Sequence, residues 1–574
     1  MSVIVSRSAG FCWGVRRAVD LVLAELKSGE GPFSVYGQLV HNPQVIEALR
    51  KRGVDICEDP AKMSGGTLFL RTHGIPLNEH RSLGDLPIAV RDLTCPRVRR
   101  ALTLAAEKSG EGYDLVILGD EGHREVTALK SYAGKGAVVI SGPSDVDGLG
   151  ELARPFLLSQ TTQSTRTFDD TLRAMKKRFH NLEHANTICG STEERQSELR
   201  ALCPRADCAV VVGGRNSANT GRLLQIAREE GLPAVQVETY EELNPEDFRG
   251  CHRILLTAGA STPGWSIRKV RERLYEIQGS RARMGALRTL VRNTVFGSAH
   301  IPLVAAAIAF AGSRVLGGSG WLLGGVAAGL TLYVLHVLNS VMETGVCRLT
   351  CEKRQEYVAA RKRILLGSAF LALGGALASA VAAGVIWVAA VALSLLLFLL
   401  YSLPALRGPG GRPVGLRAIP GARDVLFSTA WAFLLALLPG VLARPVVPLG
   451  AVVCWSIALF SLFLGRSLLV DLVDLQGDAL MGMDTIPLKL GRNRSRKLLY
   501  VSLLAATLSM LVGVVLEVLP ICSASFAVAP AWLLAGYRTV RSTPFPSELS
   551  ARTASDGALL ASGLVPGIVC LLLG

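Results

Sequence analysis

Apolar positions fall into two regimes along this 574-residue chain. Up to about Gln278, short apolar runs alternate with longer segments whose apolar residues recur at helical spacing. The runs predict strands over Val3–Ser6, Thr67–Arg71, Leu115–Leu118, Ala137–Ile140, Ala209–Val212 and Arg253–Thr257. The periodic segments predict helices over Val15–Leu26, Pro43–Arg52, Val98–Ser109, Asp169–Phe179 and Thr220–Glu230. That alternation implies an α/β unit of parallel sheets flanked by helices, with ligands beyond the carboxyl ends of the strands. From about Val295 the pattern becomes apolar blocks of roughly 17–23 residues, each long enough to cross a bilayer. About nine such spans are expected, near 295–314, 318–339, 364–383, 385–403, 424–443, 446–469, 499–517, 520–536 and 557–573. The expected organisation is therefore a soluble domain over 1–278, a basic amphipathic connector at the membrane surface over 279–294, and an all-α polytopic membrane domain over 295–574.

Charge gives this plan an orientation. The formal net charge is +15, and the mean hydropathy of +0.37 averages two unlike materials. Much of the excess lies in alternate loops: Arg348, Lys353, Arg354 and Arg361 to Arg363, then Arg407, Arg412, Arg417 and Arg423. Arg492, Arg494, Arg496 and Lys497 follow, then Arg538 and Arg541, whereas the intervening loops carry little beyond Arg314 and Arg444. This is the positive-inside pattern of a multi-pass protein of the cytoplasmic (inner) membrane. No signal peptide opens the chain, so the soluble domain is expected in the cytoplasm and the C-terminus outside. Nucleic acid is not an expected partner, because aromatic and basic residues do not interleave. The twelve cysteines are scattered, which argues against a disulfide framework and for a reducing compartment.

Three of those cysteines carry the first chemical signal. Cys12 in GFCWGVRRA, Cys95 in DLTCPRVRRA and Cys189 in NTICGSTEERQ each follow a strand-like run and open a helix-like segment. No close CxxC pair of the zinc type occurs in this half. Two readings stand: three unrelated buried thiols, or three thiolates converging on an iron–sulfur cluster with one iron left open to a substrate. His41, His73 and His123 lie in short polar loops beside Gly or Asn, where backbone approaches an anion closely. Thr161, Thr162 and Ser164 in SQTTQS, Ser217 and Asn219 in NSANTGR, and Ser261 in TAGAS add donors suited to a diphosphate, and equally suited to turns and helix caps. Glu125, two residues after His123, is either a proton source in an uncharged pocket or a solvated carboxylate at a helix start.

In this order GFCWGV, LVHNPQV, THGIP, TCPRV, GHREV, SQTTQS, TICGSTEERQ, NSANTGRL and TAGAS resemble the family of 4-hydroxy-3-methylbut-2-enyl diphosphate reductases, also called LytB, across roughly residues 1–277. The resemblance implies a three-lobed α/β fold with one cluster cysteine per lobe, here Cys12, Cys95 and Cys189. It implies a [4Fe-4S] cofactor, a diphosphate held by His41, His73, His123, Ser217, Asn219 and Ser261, Thr161 near the hydroxyl end, and Glu125 as proton donor. The implied reaction is a two-electron, two-proton reductive dehydroxylation in isoprenoid biosynthesis, giving isopentenyl and dimethylallyl diphosphate. A ferredoxin or flavodoxin is the implied electron donor. Two departures stand out. Ala218 occupies the place of a second serine in the diphosphate segment, and Trp13 that of a small residue after Cys12.

In the membrane half, Asp471, Asp474 and Asp478 in DLVDLQGD share roughly one helix face. They fit either Mg²⁺ bridging to a diphosphate or the solvated end of a span. With GMDTIPLKLGR they resemble the second aspartate motif of the UbiA family of intramembrane prenyltransferases; YSLPALR and RAIPGARD resemble that family's central loop. That resemblance implies prenyl diphosphate substrates, Mg²⁺, and a lipophilic prenyl acceptor of unknown identity. Its first motif is altered: Asn339 and Glu343 match, and Cys347 replaces a carboxylate with a thiol, a soft ligand ill suited to Mg²⁺. Cys347 and Cys351 form a CxxxC pair of no assigned role. The leading expectation is a reductase fused to a prenyltransferase-like unit in the lipid bilayer. The alternatives are an active reductase on a membrane anchor or prenyl-lipid binder, and a non-catalytic membrane iron–sulfur sensor.

Overall fold

A computed structural model describes residues 2–28, 31–134, 136–278, 282–317, 321–343, 352–403, 406–407, 413–414, 419, 421–473, 475–481 and 485–573. The chain separates into two compact units, Met1–Gln278 and Gly279–Gly574.

The first unit is built from three four-stranded sheets in which every pairing is parallel. One lobe has the order β1 (Ser2–Val5), β12 (Arg253–Ala258), β10 (Cys208–Val212), β11 (Ala234–Val237). The second runs β5 (Ala89–Asp92), β4 (Thr67–Leu70), β2 (Phe33–Tyr36), β3 (Val54–Cys57). The third runs β9 (Glu183–His184), β8 (Pro155–Ser159), β6 (Asp114–Leu118), β7 (Val138–Ile140). The three orders are the same once the chain is read in a circle: the N-terminal strand completes the last lobe. Helices α1 (Trp13–Ser28), α2 (Pro43–Arg50), α3 (Leu77–Ser82), α4 (Pro96–Gly110), α5 (Arg124–Ala133), α6 (Thr165–Arg178), α7 (Gly190–Leu202), α8 (Ala218–Glu229) and α9 (Gly264–Gln278) connect and follow the strands.

The central strands are apolar on both faces because helices cover both. In the third lobe Leu115, Ile117, Phe156 and Leu158 pack with Val98, Leu102 and Leu129 of α4 and α5. The alternate residues Val116, Leu118 and Leu157 pack with Phe168 and Met175 of α6. This is the pleat of a parallel sheet buried on two sides. The strands are two to six residues long, so all three sheets end close together at their carboxyl edges.

The second unit is all-helical apart from the two-residue ladder Leu406–Arg407 with Pro413–Val414. Among the described residues seven helices are long and apolar enough to cross a membrane: Trp321–Met342, Lys362–Ala383, Val385–Ser402, Ala422–Leu442, Leu449–Val473, Ile486–Val515 and Glu548–Leu573. A pair bent by 77°, Thr289–Phe296 with His300–Val315, makes eight if taken as one span. The expected nine are therefore not reached. The block at 520–536 divides into a 3₁₀ turn, Ile521–Ala527, and a 15-residue helix, Val528–Ser542. Pro520 lacks the amide hydrogen that a helix running through this point would need. Val385, Phe370, Leu371 and Leu322 are among the most exposed apolar side chains, as helix surfaces facing lipid would be. Inside, Arg466 Nη2 lies 2.8 Å from Asp556 Oδ1 and His300 Nε2 lies 3.2 Å from Asp556 Oδ2, tying three helices together. A Cβ at Gly563 would run into the backbone of Ala307 and Ile308, so glycine there permits the closest helix approach. Against the expectation of a reducing compartment for the cysteines, Cys522 and Cys570 form a disulfide. Their 48-residue separation carries no pairing signal in the sequence.

Leu158→Ala should destabilise the first unit by about 2–5 kcal/mol, whereas Val138→Ala, on an exposed edge position, should stay within about 0.5 kcal/mol. Amide hydrogen exchange of β6 and β8 in the full chain distinguishes the two.

Candidate functional site

Each of the three cysteines follows an edge strand, β1, β5 or β9, and precedes a helix, α1, α4 or α7. Each backbone N–H donates to the loop after the neighbouring strand: Cys12 to Ala260 O (3.0 Å), Cys95 to Thr72 O (3.0 Å) and Cys189 to Thr161 O (2.9 Å). One construction therefore repeats in three lobes. A sulfur at a helix N-terminus faces unpaired amide groups that favour its anionic form; the Val15 N–H donates to Cys12 Sγ at 3.4 Å. Burial pushes the Cys95 thiol up, the N–H groups of Arg97 and Val98 pull it down, and the nearness of Cys12 and Cys189 pushes it up again. An ideal Cβ on Gly14 would lie 2.6 Å from Cys95 Sγ and 3.9 Å from Cys12 Sγ, so only glycine lets α1 start between these thiols.

The polar candidates come from the other strand ends. His41, His123 and Ser217 follow the inner strands β2, β6 and β10, and His73, Thr161 and Ser261 follow β4, β8 and β12. His123 and Ser217 are also helix N-caps, accepting from Glu125 N (3.2 Å) and Thr220 N (3.4 Å). The helix N-termini of α2, α5 and α8 thus converge, an arrangement that favours an anion. The three imidazoles form one group, with ring centroids 4.2 Å apart for His41 and His73, 5.9 Å for His41 and His123, and 6.1 Å for His73 and His123. The three cysteines, the three histidines, Glu125, Thr161, Ser217, Asn219 and Ser261 all line a single cavity of about 700 Å³ including its mouth. Thr162 and Ala218 line it too, whereas Ser164 caps α6 by accepting from Thr167 N. Ser261 Oγ is tied to His41 O at 3.1 Å.

The cavity's charge comes partly from residues that the motifs did not single out. Burial, with Arg71 and Arg124 close by, lowers His41 to about 4 and His73 well below its usual value. Burial also lowers His123, helped by Arg124 and opposed by Asp120. Burial disfavours the charged form of all three imidazoles, and the two guanidinium groups add positive field. Arg124 follows His123 in GHREV and Arg71 immediately precedes THGIP, and neither was singled out from the sequence. Arg195, also missed, is buried; it donates to Gly10 O (2.5 Å) and Ser191 O (2.9 Å), bracing the loops of Cys12 and Cys189. His41 Nε2 and both side-chain polar atoms of Asn219 are buried without partners. Such atoms await a ligand.

Glu125 is 1% exposed. Burial raises it to about 7, opposed by hydrogen bonds from Thr161, whose N–H and hydroxyl donate to its two oxygens at 2.6 and 2.9 Å. Among the described residues no three His, Cys, Asp or Glu side chains close on a single metal ion. Three thiols around a cavity fit a wider multi-iron group instead, each lobe giving one sulfur.

In the second unit Asp471 and Asp478 are buried, while Asp474, between them, lies outside the described residues. Arg423 Nη2 contacts Asp471 Oδ1 (2.5 Å) and Asp424 Oδ1 (3.1 Å), and Ser467 Oγ donates to Asp424 Oδ1 (2.6 Å). Asp471 Oδ2 and Asp424 Oδ2 are buried without partners. Asp424, in the quoted RAIPGARD, is the carboxylate that the sequence reading left out. Asn339 is half-buried on the helix Trp321–Glu343; the side chain of Glu343 and all of Cys347 and Cys351 lie outside the described residues.

Comparison with known proteins divides at the same place. A family profile described as LytB protein matches residues 3–275. A 4-hydroxy-3-methylbut-2-enyl diphosphate reductase of Geobacter sp. (strain M21) is 39% identical over 278 residues, 48% of this chain and 98% of that protein. The structure of the E-1-hydroxy-2-methyl-but-2-enyl-4-diphosphate reductase from Plasmodium falciparum is similar with 28% identity and a TM-score of 0.46, covering 48% of this chain and 87% of that one. A UbiA homolog from Aeropyrum pernix K1 is similar with 15% identity and a TM-score of 0.36, covering 49% of this chain and 98% of that one.

A carboxyl group held near 7 is mostly protonated at pH 6 and mostly ionised at pH 9. Because its folded value lies above the usual 4.5, the first unit should lose stability as pH rises from 4.5 to about 7. Difference infrared spectra between pH 6 and pH 9 should show a buried carboxylic acid band that disappears in Glu125→Gln.

Proposed function

The chain belongs to the LytB family, and from this we propose that its first unit reductively removes the hydroxyl of 4-hydroxy-3-methylbut-2-enyl diphosphate, giving isopentenyl and dimethylallyl diphosphate. The observation that carries the reading is the meeting of three helix-N-terminal thiols, three imidazoles and one buried carboxyl in a single cavity. Cys12, Cys95 and Cys189 are the residues to hold a [4Fe-4S] cluster, which when bound supplies electron transfer and one iron open to the substrate oxygen.

The chain's own groups account for the rest. His41, His73, His123, Ser217, Asn219 and Ser261 bind and orient the diphosphate, with the N-termini of α2, α5 and α8 behind it. Bringing in its negative charge offsets the desolvation of the imidazoles, so binding favours proton uptake by this group. Arg71 and Arg124 add field strength. Glu125 stores a proton at its carboxyl, and Thr161 Oγ1, which is 2.9 Å from it and lines the same cavity, is the route for delivery. Ala218 gives no hydroxyl to the diphosphate, and serine there would add one donor.

For the second unit we propose a site for a prenyl diphosphate with Mg²⁺, used in transfer to a lipophilic acceptor. One guanidinium against the two carboxylates Asp424 and Asp471 leaves buried negative charge and two unpartnered oxygens. Hard oxygen donors of this kind suit a divalent cation. We place this unit in the cytoplasmic membrane with the reductase in the cytoplasm. The basic loops support that orientation, and so does the Cys522–Cys570 disulfide. It lies at the far end of helices whose other ends carry Arg492 to Lys497 and Asp556, where an oxidising compartment is expected.

Anaerobically prepared protein should hold about four iron and four sulfide per chain and turn over the diphosphate substrate with an artificial reductant. Glu125→Gln should lower kcat by about 10²–10⁴-fold with iron content unchanged; unaltered turnover would refute the proton-donor role. Ala218→Ser should lower KM by up to about tenfold. In the second unit Asp474→Asn should abolish Mg²⁺-dependent prenyl transfer. If wild type transfers no prenyl group to quinone-, tetrapyrrole- or phenol-type acceptors, the anchor reading holds instead.

A further inference from the structure

The proposed reduction consumes two electrons, which an external donor has to supply. The surface beside the starts of α1 and α4, which carry Cys12 and Cys95 at their N-termini, holds an uncommon set of exposed side chains. Trp13, Arg17 and Leu21 follow one another at every fourth residue along α1 and so share a face. Trp13 is 65% exposed, the most exposed large apolar side chain of this unit among the described residues, and Leu21 is 40% exposed. Arg97, Arg99 and Arg100 are exposed on the first turns of α4. The two helix starts touch at Gly14 and Cys95.

Between them runs an open groove of about 1110 Å³ including its mouth, lined by Arg17, Thr94, Pro96, Arg99 and Arg100. Thr94 and Pro96 are the residues on either side of Cys95. The carboxylates around the groove are Asp20, Asp92 and Glu107. Asp92 is taken by Arg99 at 2.6 Å, and Asp20 faces Arg16 on its own helix. The surface remains positive. Arg17 Nη1 is buried without a partner.

We propose that this groove docks an acidic one-electron carrier protein, with Trp13 as the apolar anchor. The proposal rests on the reductase reading. Each docking oxidises one carrier and delivers one electron; two dockings and two protons break the substrate C–O bond, form a C–H bond and release the oxygen as water. Charge complementarity selects an acidic partner and speeds its encounter. An exposed tryptophan one helical turn from Arg17, which lines the groove, has the composition of an interface hot spot. Lipid headgroups are also anionic, but the groove includes Thr94 and Pro96, the residues flanking the thiol Cys95, which favours an electron carrier.

The test uses the cluster-loaded full chain in nanodiscs of zwitterionic lipid, with reduced plant-type ferredoxin and reduced methyl viologen as alternative donors. Arg99→Glu/Arg100→Glu should raise the KM for ferredoxin about tenfold or more, with the viologen-driven rate within about twofold of wild type. In wild type the KM for ferredoxin should rise several-fold between about 50 and 300 mM salt. Trp13→Ala should raise it too, and together with the salt series decides the matter if the double variant does not hold its cluster. A KM for ferredoxin that stays constant throughout overturns the proposal, including the case where charge reversal alters only the response to anionic lipid. No viologen-driven turnover in loaded wild type would instead remove the reductase reading, and this proposal with it.

Discussion

The first unit depends on a hydrogen bond made three times. In each lobe the cysteine's N–H is anchored on the loop after the adjacent strand, at Ala260, Thr72 or Thr161. Those loops carry Ser261, His73 and Thr161, so the bond that fixes a sulfur also fixes a polar residue beside it. The same three bonds therefore couple the thiol triad to the anion-binding wall. No lobe contains the site; it exists only where three parallel sheets end together.

That geometry explains what the sequence disclosed. A cysteine between a strand and a helix is a local feature, readable three times over, and its neighbours at the cavity lie in equally local motifs. Twelve of the thirteen candidates of the first unit reached one cavity, and the other, Ser164, caps α6. The strands were harder. β8, PFLLS, is buried on both sides and reads equally well as part of a helix; β9 has only two residues. β5, AVRD, is half polar because it forms an edge. Arg71, Arg124 and Arg195 were illegible because their importance lies in burial, and burial of a cation depends on which other lobe covers it.

On the functions proposed above, the two units would meet a diphosphate by opposite means. In the first, helix N-termini and the guanidinium groups of Arg71 and Arg124 set positive potential beside the three imidazoles. In the second, the carboxylates Asp424 and Asp471 outnumber the guanidinium of Arg423 beside them, which is the basis of the proposed cation site. The charge pattern of the loops was visible in the sequence, but the span count was not, because hydropathy does not register where Pro520 divides a block. Asp424 was visible only as one carboxylate among several; its unpartnered oxygen next to Arg423 and Asp471 emerges from the packing of two helices.

The central claim is that three lobes each give one sulfur to a group whose fourth corner stays free for substrate. Mössbauer spectroscopy of ⁵⁷Fe-loaded full-length protein tests it most directly. The account predicts three like iron environments and one distinct, with the distinct one alone changing when the diphosphate substrate is added. Four equivalent irons indifferent to substrate, or a chain that retains no iron under anaerobic handling, would contradict it.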